Sequence, residues 1–110
     1  MIVVLIRRCV KPEEFQAFVD SYKNGAPKKG ETPGFISETL TRISDDQLNE
    51  PMQSLNSKLR CDNCTTYLNI AYWESKEAFQ QFYKPETTHD PTYECSNRLR
   101  AVMDIVETNP

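Results

Sequence analysis

The chain has 110 residues, a formal net charge of −3 and four cysteines. That length builds one domain, residues 1–110, around one core with little to spare, so pairing with a second copy would add stability. The acidic balance and the lack of a basic face argue against nucleic acid as a partner, and no apolar run reaches the length of a membrane span.

The opening run, Met1 to Ile6, is short and is followed by Arg7 and Arg8, the reverse of the order in a secretory leader. A cytosolic location is therefore expected, with the cysteines mostly reduced. Arg7, Arg8 and Lys11 near the start, and Arg98 and Arg100 near the end, read as solvated strand edges.

Residues 2–10 form a continuous apolar run that predicts a strand buried on both faces in its first half. Pro12, Glu13 and Glu14 suit the first turn of a helix. Phe15, Phe18, Val19 and Tyr22 then recur at i, i+3, i+4 and i+7, giving one apolar face. This helix should stop near Asn24-Gly25, ahead of Pro27. A polar loop follows, and Pro33-Gly34 marks a turn. Residues 35–43 predict a second strand, with Phe35, Ser37, Thr39 and Thr41 on one face and Ile36, Glu38, Leu40 and Arg42 on the other.

Residues 44–63 are a polar insertion containing Pro51. Met52, Leu55 and Leu59 have helical spacing, which predicts a short helix, and connections this long usually carry function or motion. Thr66 to Trp73 is rich in β-formers and predicts a third strand. Ser75 then caps a helix, with Glu77 in its first turn and Ala78, Phe79, Phe82 and Tyr83 on one face. Asp90-Pro91 reads as the cap and first turn of a further short helix. Leu99 to Val106 alternates as a fourth strand.

The order is thus β-α-β-β-α-β. With right-handed crossovers this gives an α+β, ferredoxin-like arrangement: a four-stranded antiparallel sheet with helices on one face. Residues aimed at the other face are apolar as well, which implies a homodimer packed sheet to sheet.

Asn69 stands out. It lies in an apolar run four positions before Trp73, so both point to one face. A buried amide needs a partner, whether backbone, water or ligand. Trp73 reads as a packing anchor between strand and helix. Tyr22, Tyr67, Tyr72 and Tyr83 suit core and interface, with Tyr72 on the face opposite Trp73. His89, between Pro85 and Pro91, reads as a solvated loop histidine or as a general base at a pocket mouth. Cys61-Asp62-Asn63-Cys64 lacks the βα setting of a redox motif. Two readings stand for it: free thiols or an incidental disulfide, or half of a four-cysteine zinc site completed by a twofold mate. Cys9 and Cys95 read as buried thiols.

Three stretches carry a family resemblance: Val10-Lys11-Pro12-Glu13, Thr32 to Leu40, and Tyr72-Trp73-Glu74-Ser75-Lys76-Glu77-Ala78-Phe79. Together they resemble the antibiotic biosynthesis monooxygenase family, within the dimeric α+β barrel superfamily. The likeness spans the chain except for about residues 44–63. It implies a pocket between the sheet and the helices of each subunit. In members that oxidise aromatic phenols without a cofactor, an asparagine and a tryptophan four apart line that pocket, and Asn69 and Trp73 match them. The helical tyrosine six residues beyond the tryptophan in those members is Phe79 here. The haem-degrading members fit less well. The first strand lacks their asparagine, Phe82 stands where they carry a second tryptophan, and His89 is out of register with their axial histidine.

The resemblance implies a cofactor-independent monooxygenase that acts on an aromatic or quinol-like molecule. Asn69, Trp73, Phe79, Phe82, Tyr22 and Phe35 would form the substrate pocket, with His89 at its rim. A non-catalytic dimeric module that binds a small hydrophobic ligand or a partner is the alternative from another class, and haem binding, with or without degradation, is a third.

Overall fold

A computed structural model of the chain describes residues 1–44, 49–83 and 92–110. The strand β1 runs over Ile2–Val10. A single 3-10 turn at Pro12–Glu14 leads into helix α1, Phe15–Gly25. Strand β2 is Phe35–Arg42 and helix α2 is Glu50–Leu59. Strand β3 is Thr65–Trp73, helix α3 is Lys76–Phe82 and strand β4 is Leu99–Asp104. The sheet is antiparallel throughout, in the order β2-β3-β1-β4, so the chain has the expected α+β, ferredoxin-like fold. The helix expected at Asp90-Pro91 lies outside the described residues.

Local chemistry fixes the joints. Ser75 caps α3 by accepting a hydrogen bond from the Ala78 N–H at 3.1 Å, satisfying a donor the helix leaves free. Gly34 adopts φ +80° where β2 begins, and a methyl group there would overlap Ala78 of α3. Its carbonyl accepts from the Glu74 N–H at 2.8 Å. Only glycine meets both the backbone and the spatial demand, so the Pro33-Gly34 turn lets β2 start directly under α3.

One expectation for β2 is corrected. The register slips between Phe35 and Ser37, with Phe35 opposite Trp73 and Glu38 opposite Ala71. The β-bulge adds a residue and inverts the alternation. Phe35 and Glu38, assigned to opposite faces by simple pleating, therefore lie on one face, toward α1 and α3. A second, smaller correction concerns β4, which ends at Asp104 rather than Val106.

Two apolar clusters hold the helices to the sheet. Ile2, Val4, Ala71 and Trp73 form one, with Ile6, Phe35, Ala78 and Phe79 packed against them. Val10, Phe18 and Tyr67 form the other, with Val19, Leu40 and Tyr93. Between the clusters the same face carries Arg8 and Asn69, both buried. The core is thus split by a polar band.

The opposite face carries Val3, Leu5, Leu68 and Ile70, all half-buried, and Tyr72 and Met103, each 39% exposed. The end of the long connection, at Leu59 and Cys61, is fastened to this face. Arg7, which alternates away from Arg8, donates to the Leu59 carbonyl, and Cys9 is bonded to Cys61. The helix predicted in this connection is present as α2, but Leu55 is 62% exposed.

The cysteine expectations are corrected in part: disulfides form, but not within the C-x-x-C pair. Cys9 pairs with Cys61 and Cys64 with Cys95. Cys9 and Cys95 are not buried thiols, and Cys61 and Cys64 are neither free nor available as zinc thiolates. The C-x-x-C spacing placed two cysteines on one loop, but Cys61 reaches the end of β1 and Cys64 reaches the segment before β4. The Cys95 N–H donates to the Cys9 carbonyl at 2.9 Å, and Val10 bridges Glu94, so the segment before β4 is laid against the end of β1. No helix among the described residues is long and apolar enough to cross a membrane.

Candidate functional site

Between the two apolar clusters lies a cavity of about 360 Å³, within the range of small-molecule pockets. Val4, Ile6 and Arg8 of β1, and Asn69, Ala71 and Trp73 of β3, form its floor. Tyr22 and the end of α1 form one wall; Phe79, Phe82 and Tyr83 form the other; Arg98 and Arg100 close a side. The strand period puts the floor residues on one face, and the bulge in β2 adds Glu38 to it.

Trp73 is 1% exposed and wedged among aromatic rings. Its centroid lies 5.3 Å from Phe35, 5.6 Å from Phe79 and 5.5 Å from Phe82. These separations favour edge-on and tilted packing. Trp73 thus anchors α3 to the sheet while presenting part of its surface to the cavity.

Asn69 is 4% exposed, and its Oδ1 has no hydrogen-bond partner among the described residues; the same holds for Glu38 Oε2. A buried polar atom left unpaired costs about 1–3 kcal/mol. Two such acceptors on one cavity wall are suited to a ligand or water that donates. Burial raises the Glu38 carboxyl above the ordinary carboxylate range, while hydrogen bonding from Tyr22 and Asn69 and the charge of Arg8 pull it back. The neighbouring Tyr22 hydroxyl is pushed up to about 12, by burial first and by Glu38 next.

The cations of the site are held in place. Glu94, whose side chain is fully buried, accepts from Arg8 at 3.1 Å and from Arg98 at 2.7 Å. Arg98 also donates through Nε at 3.0 Å. Arg8 lies over the Phe18 ring at 4.8 Å and Arg100 over the Tyr83 ring at 4.6 Å, geometries in which a guanidinium is attracted to the ring face. Two guanidinium groups share one buried carboxylate, which leaves this side of the cavity net positive.

Of the residues singled out in the sequence, Asn69, Trp73, Tyr22, Phe79 and Phe82 line one cavity. Phe35 stands behind Trp73 as a packing partner rather than at the cavity surface. His89 lies outside the described residues. The sequence reading missed Glu38, Arg8, Arg98 and Arg100. Leu40 two residues beyond Glu38, packed in the core, was the available signal for an inward Glu38. Arg98 and Arg100 carried no such signal, because the turn before β4 folds back through Glu94.

Haem fits these residues poorly. Among the described lining residues there is no histidine, cysteine or methionine to serve as an axial ligand. Tyr22 is held in its protonated form, and a buried carboxylate occupies the wall. Among the described residues no cluster of potential metal ligands occurs.

No family model matches the sequence, nor does any curated protein. Solved structures do match its fold. An antibiotic biosynthesis monooxygenase superposes with a TM-score of 0.62 at 15% identity, over 97% of this chain and all of the other. A variant of SnoaB, a cofactor-independent oxygenase from Streptomyces nogalater, gives 0.57 at 20% identity, over 99% of this chain and 97% of that one. The haem degrader MhuD from Mycobacterium tuberculosis gives 0.57 at 17% identity, over 98% and 99%. The chain shares the ferredoxin-like fold of antibiotic biosynthesis monooxygenase structures along nearly its whole length.

Proposed function

We propose that the protein is a cofactor-independent oxygenase acting on an aromatic or quinol-like small molecule held in this cavity. The observation that carries the reading is Asn69, a buried amide beside Trp73 on the cavity floor whose Oδ1 has no partner among the described residues. The structural likeness to SnoaB, a cofactor-independent oxygenase, supports it. For an anthrone-type substrate, the ring hydroxyl or activated methylene loses a proton and the electron-rich anion reacts with dioxygen. One oxygen atom enters the ring as a carbonyl and the other leaves as water, with the substrate supplying all four electrons. In a dry cavity, fixed dipoles and cations stabilise the anion more strongly than water does. Asn69 would orient the substrate, Trp73 and Phe79 would stack on its rings, and Arg8 and Arg100 would favour its ionised form.

Oxygen uptake on a hydroxyanthrone or hydroquinone, without added cofactor, tests the reading. Uptake that Asn69→Ala with Trp73→Phe lowers supports it. Binding without uptake would instead support a ligand-binding module, the reading favoured by Phe79 standing where the resembling enzymes have tyrosine.

The reading includes a second copy of the chain. The half-exposed apolar face of Val3, Leu5, Leu68, Ile70, Tyr72 and Met103 suits sheet-to-sheet pairing. The two disulfides fit an oxidising compartment better than the reducing cytosol expected from the sequence.

A further inference from the structure

We propose that Glu38 is the proton acceptor of this site, and that the ligand it serves is an aromatic hydroxyl compound donating toward the paired oxygens of Glu38 and Asn69. The inference rests on the oxygenase reading above and names the group that starts its chemistry.

Three observations converge. First, Glu38 reaches the cavity only because of the β-bulge between Phe35 and Ser37, a device that re-aims side chains beside functional sites. Second, Glu38 Oε2 and Asn69 Oδ1 are both buried and have no partner among the described residues, and both residues line the cavity. Acceptors without donors call for a ligand rich in O–H groups, and a polyhydroxylated aromatic supplies them along with rings for Trp73, Phe79 and Phe82. Third, the groups around the carboxylate pull in opposite directions. Burial favours its neutral form, while Tyr22 of α1, Asn69 of β3 and Arg8 of β1 favour the ion. A carboxylate raised in this way is a stronger base than one in water, and the groups that favour its ion keep it available to take a proton.

The step balances as a proton transfer. The phenolic O–H bond breaks, its electron pair stays on the phenolate oxygen, and the proton bonds to Glu38 Oε2. The buried negative charge moves from protein to ligand, so the site's total charge is unchanged. Arg8 then faces an anionic ligand instead of an anionic side chain. Dioxygen consumes the phenolate in the later step already given.

The test is an anaerobic absorbance titration with dithranol, a dihydroxyanthrone, which separates proton transfer from turnover. Wild-type protein is expected to bring up the phenolate band at a pH where free dithranol is neutral. Glu38→Gln is expected to bind the probe without that band and to lower aerobic oxygen uptake by about a hundredfold or more. An equal band in the Gln variant overturns the assignment to Glu38, and so does an absence of dithranol binding by the wild type. A phenolate band with no oxygen uptake upholds Glu38 and overturns the oxygenase reading instead. Should Glu38→Gln fail to fold, the wild-type infrared difference spectrum decides. A protonated-carboxyl band rising with the phenolate supports the inference, and its absence overturns it.

Discussion

Phe35 and Glu38 are three residues apart on one strand, yet both face the helices. Phe35 packs edge-on against Trp73, and Glu38 stands opposite Ala71 at the cavity. The bulge between them lets one short strand supply both a packing residue for the aromatic cluster and an acid for the site.

Folding raises the Glu38 pKa above its ordinary value of 4.5. Its neutral form is therefore the one the fold prefers. That stabilisation is complete below the unfolded pKa and is lost as pH rises through the higher folded value. Wild type and Glu38→Gln should unfold at similar denaturant concentrations in acid. Above that window the Gln variant should be the more stable of the two, as read by urea unfolding across the range.

Tyr22 behaves similarly at the alkaline end. Its hydroxyl is pushed up to about 12, so its contribution is present below 10 and lost as pH climbs toward the folded value. Ultraviolet titration should show one tyrosine ionising late. Tyr22→Phe should remove that component, and Glu38→Gln should move it back toward the ordinary range.

Glu94 holds two arginines at once. Glu94→Gln leaves both guanidinium groups facing a neutral amide in a buried setting. The expected loss is about 3–5 kcal/mol in denaturant unfolding at neutral pH.

Gly34→Ala brings a methyl group onto Ala78 and forces a side chain into a positive-φ conformation. A cost of about 1–3 kcal/mol follows, measurable as a lower melting temperature. Pairing it with Ala78→Gly should recover part of the loss by relieving the overlap, but not the backbone component.

Much of this was legible in the sequence. Strand and helix periods located β1, α1, β3 and α3, and Ser75 fixed the start of α3. Asn69 and Trp73 announced themselves by spacing, since pleating in β3 is regular. Glu38 was obscured because a single inserted residue reverses its parity relative to Phe35, and nothing in Phe35-Ile36-Ser37 signals a bulge, which left Leu40 as the one cue to its inward aim. Arg8 read as a strand-edge cation because its partner, Glu94, lies 86 residues away. The cysteine pairing was equally remote, with separations of 52 and 31 residues, so local spacing in Cys61–Cys64 pointed to the wrong geometry.

The pairing has a topological consequence. Cys9–Cys61 closes one covalent ring and Cys64–Cys95 closes the next, and the rings follow one another without interlacing. Only Asp62 and Asn63 tether them. A protease cut inside either ring would leave a single nicked molecule until reductant is added. A cut at the tether would yield two separate closed pieces, β1 and β2 in the first and β3 and β4 in the second. Because β3 pairs with β1 and β2, β4 pairs with β1, and Phe18 and Arg8 meet Tyr67 and Glu94 across the cut, those pieces would stay together with no covalent link between them.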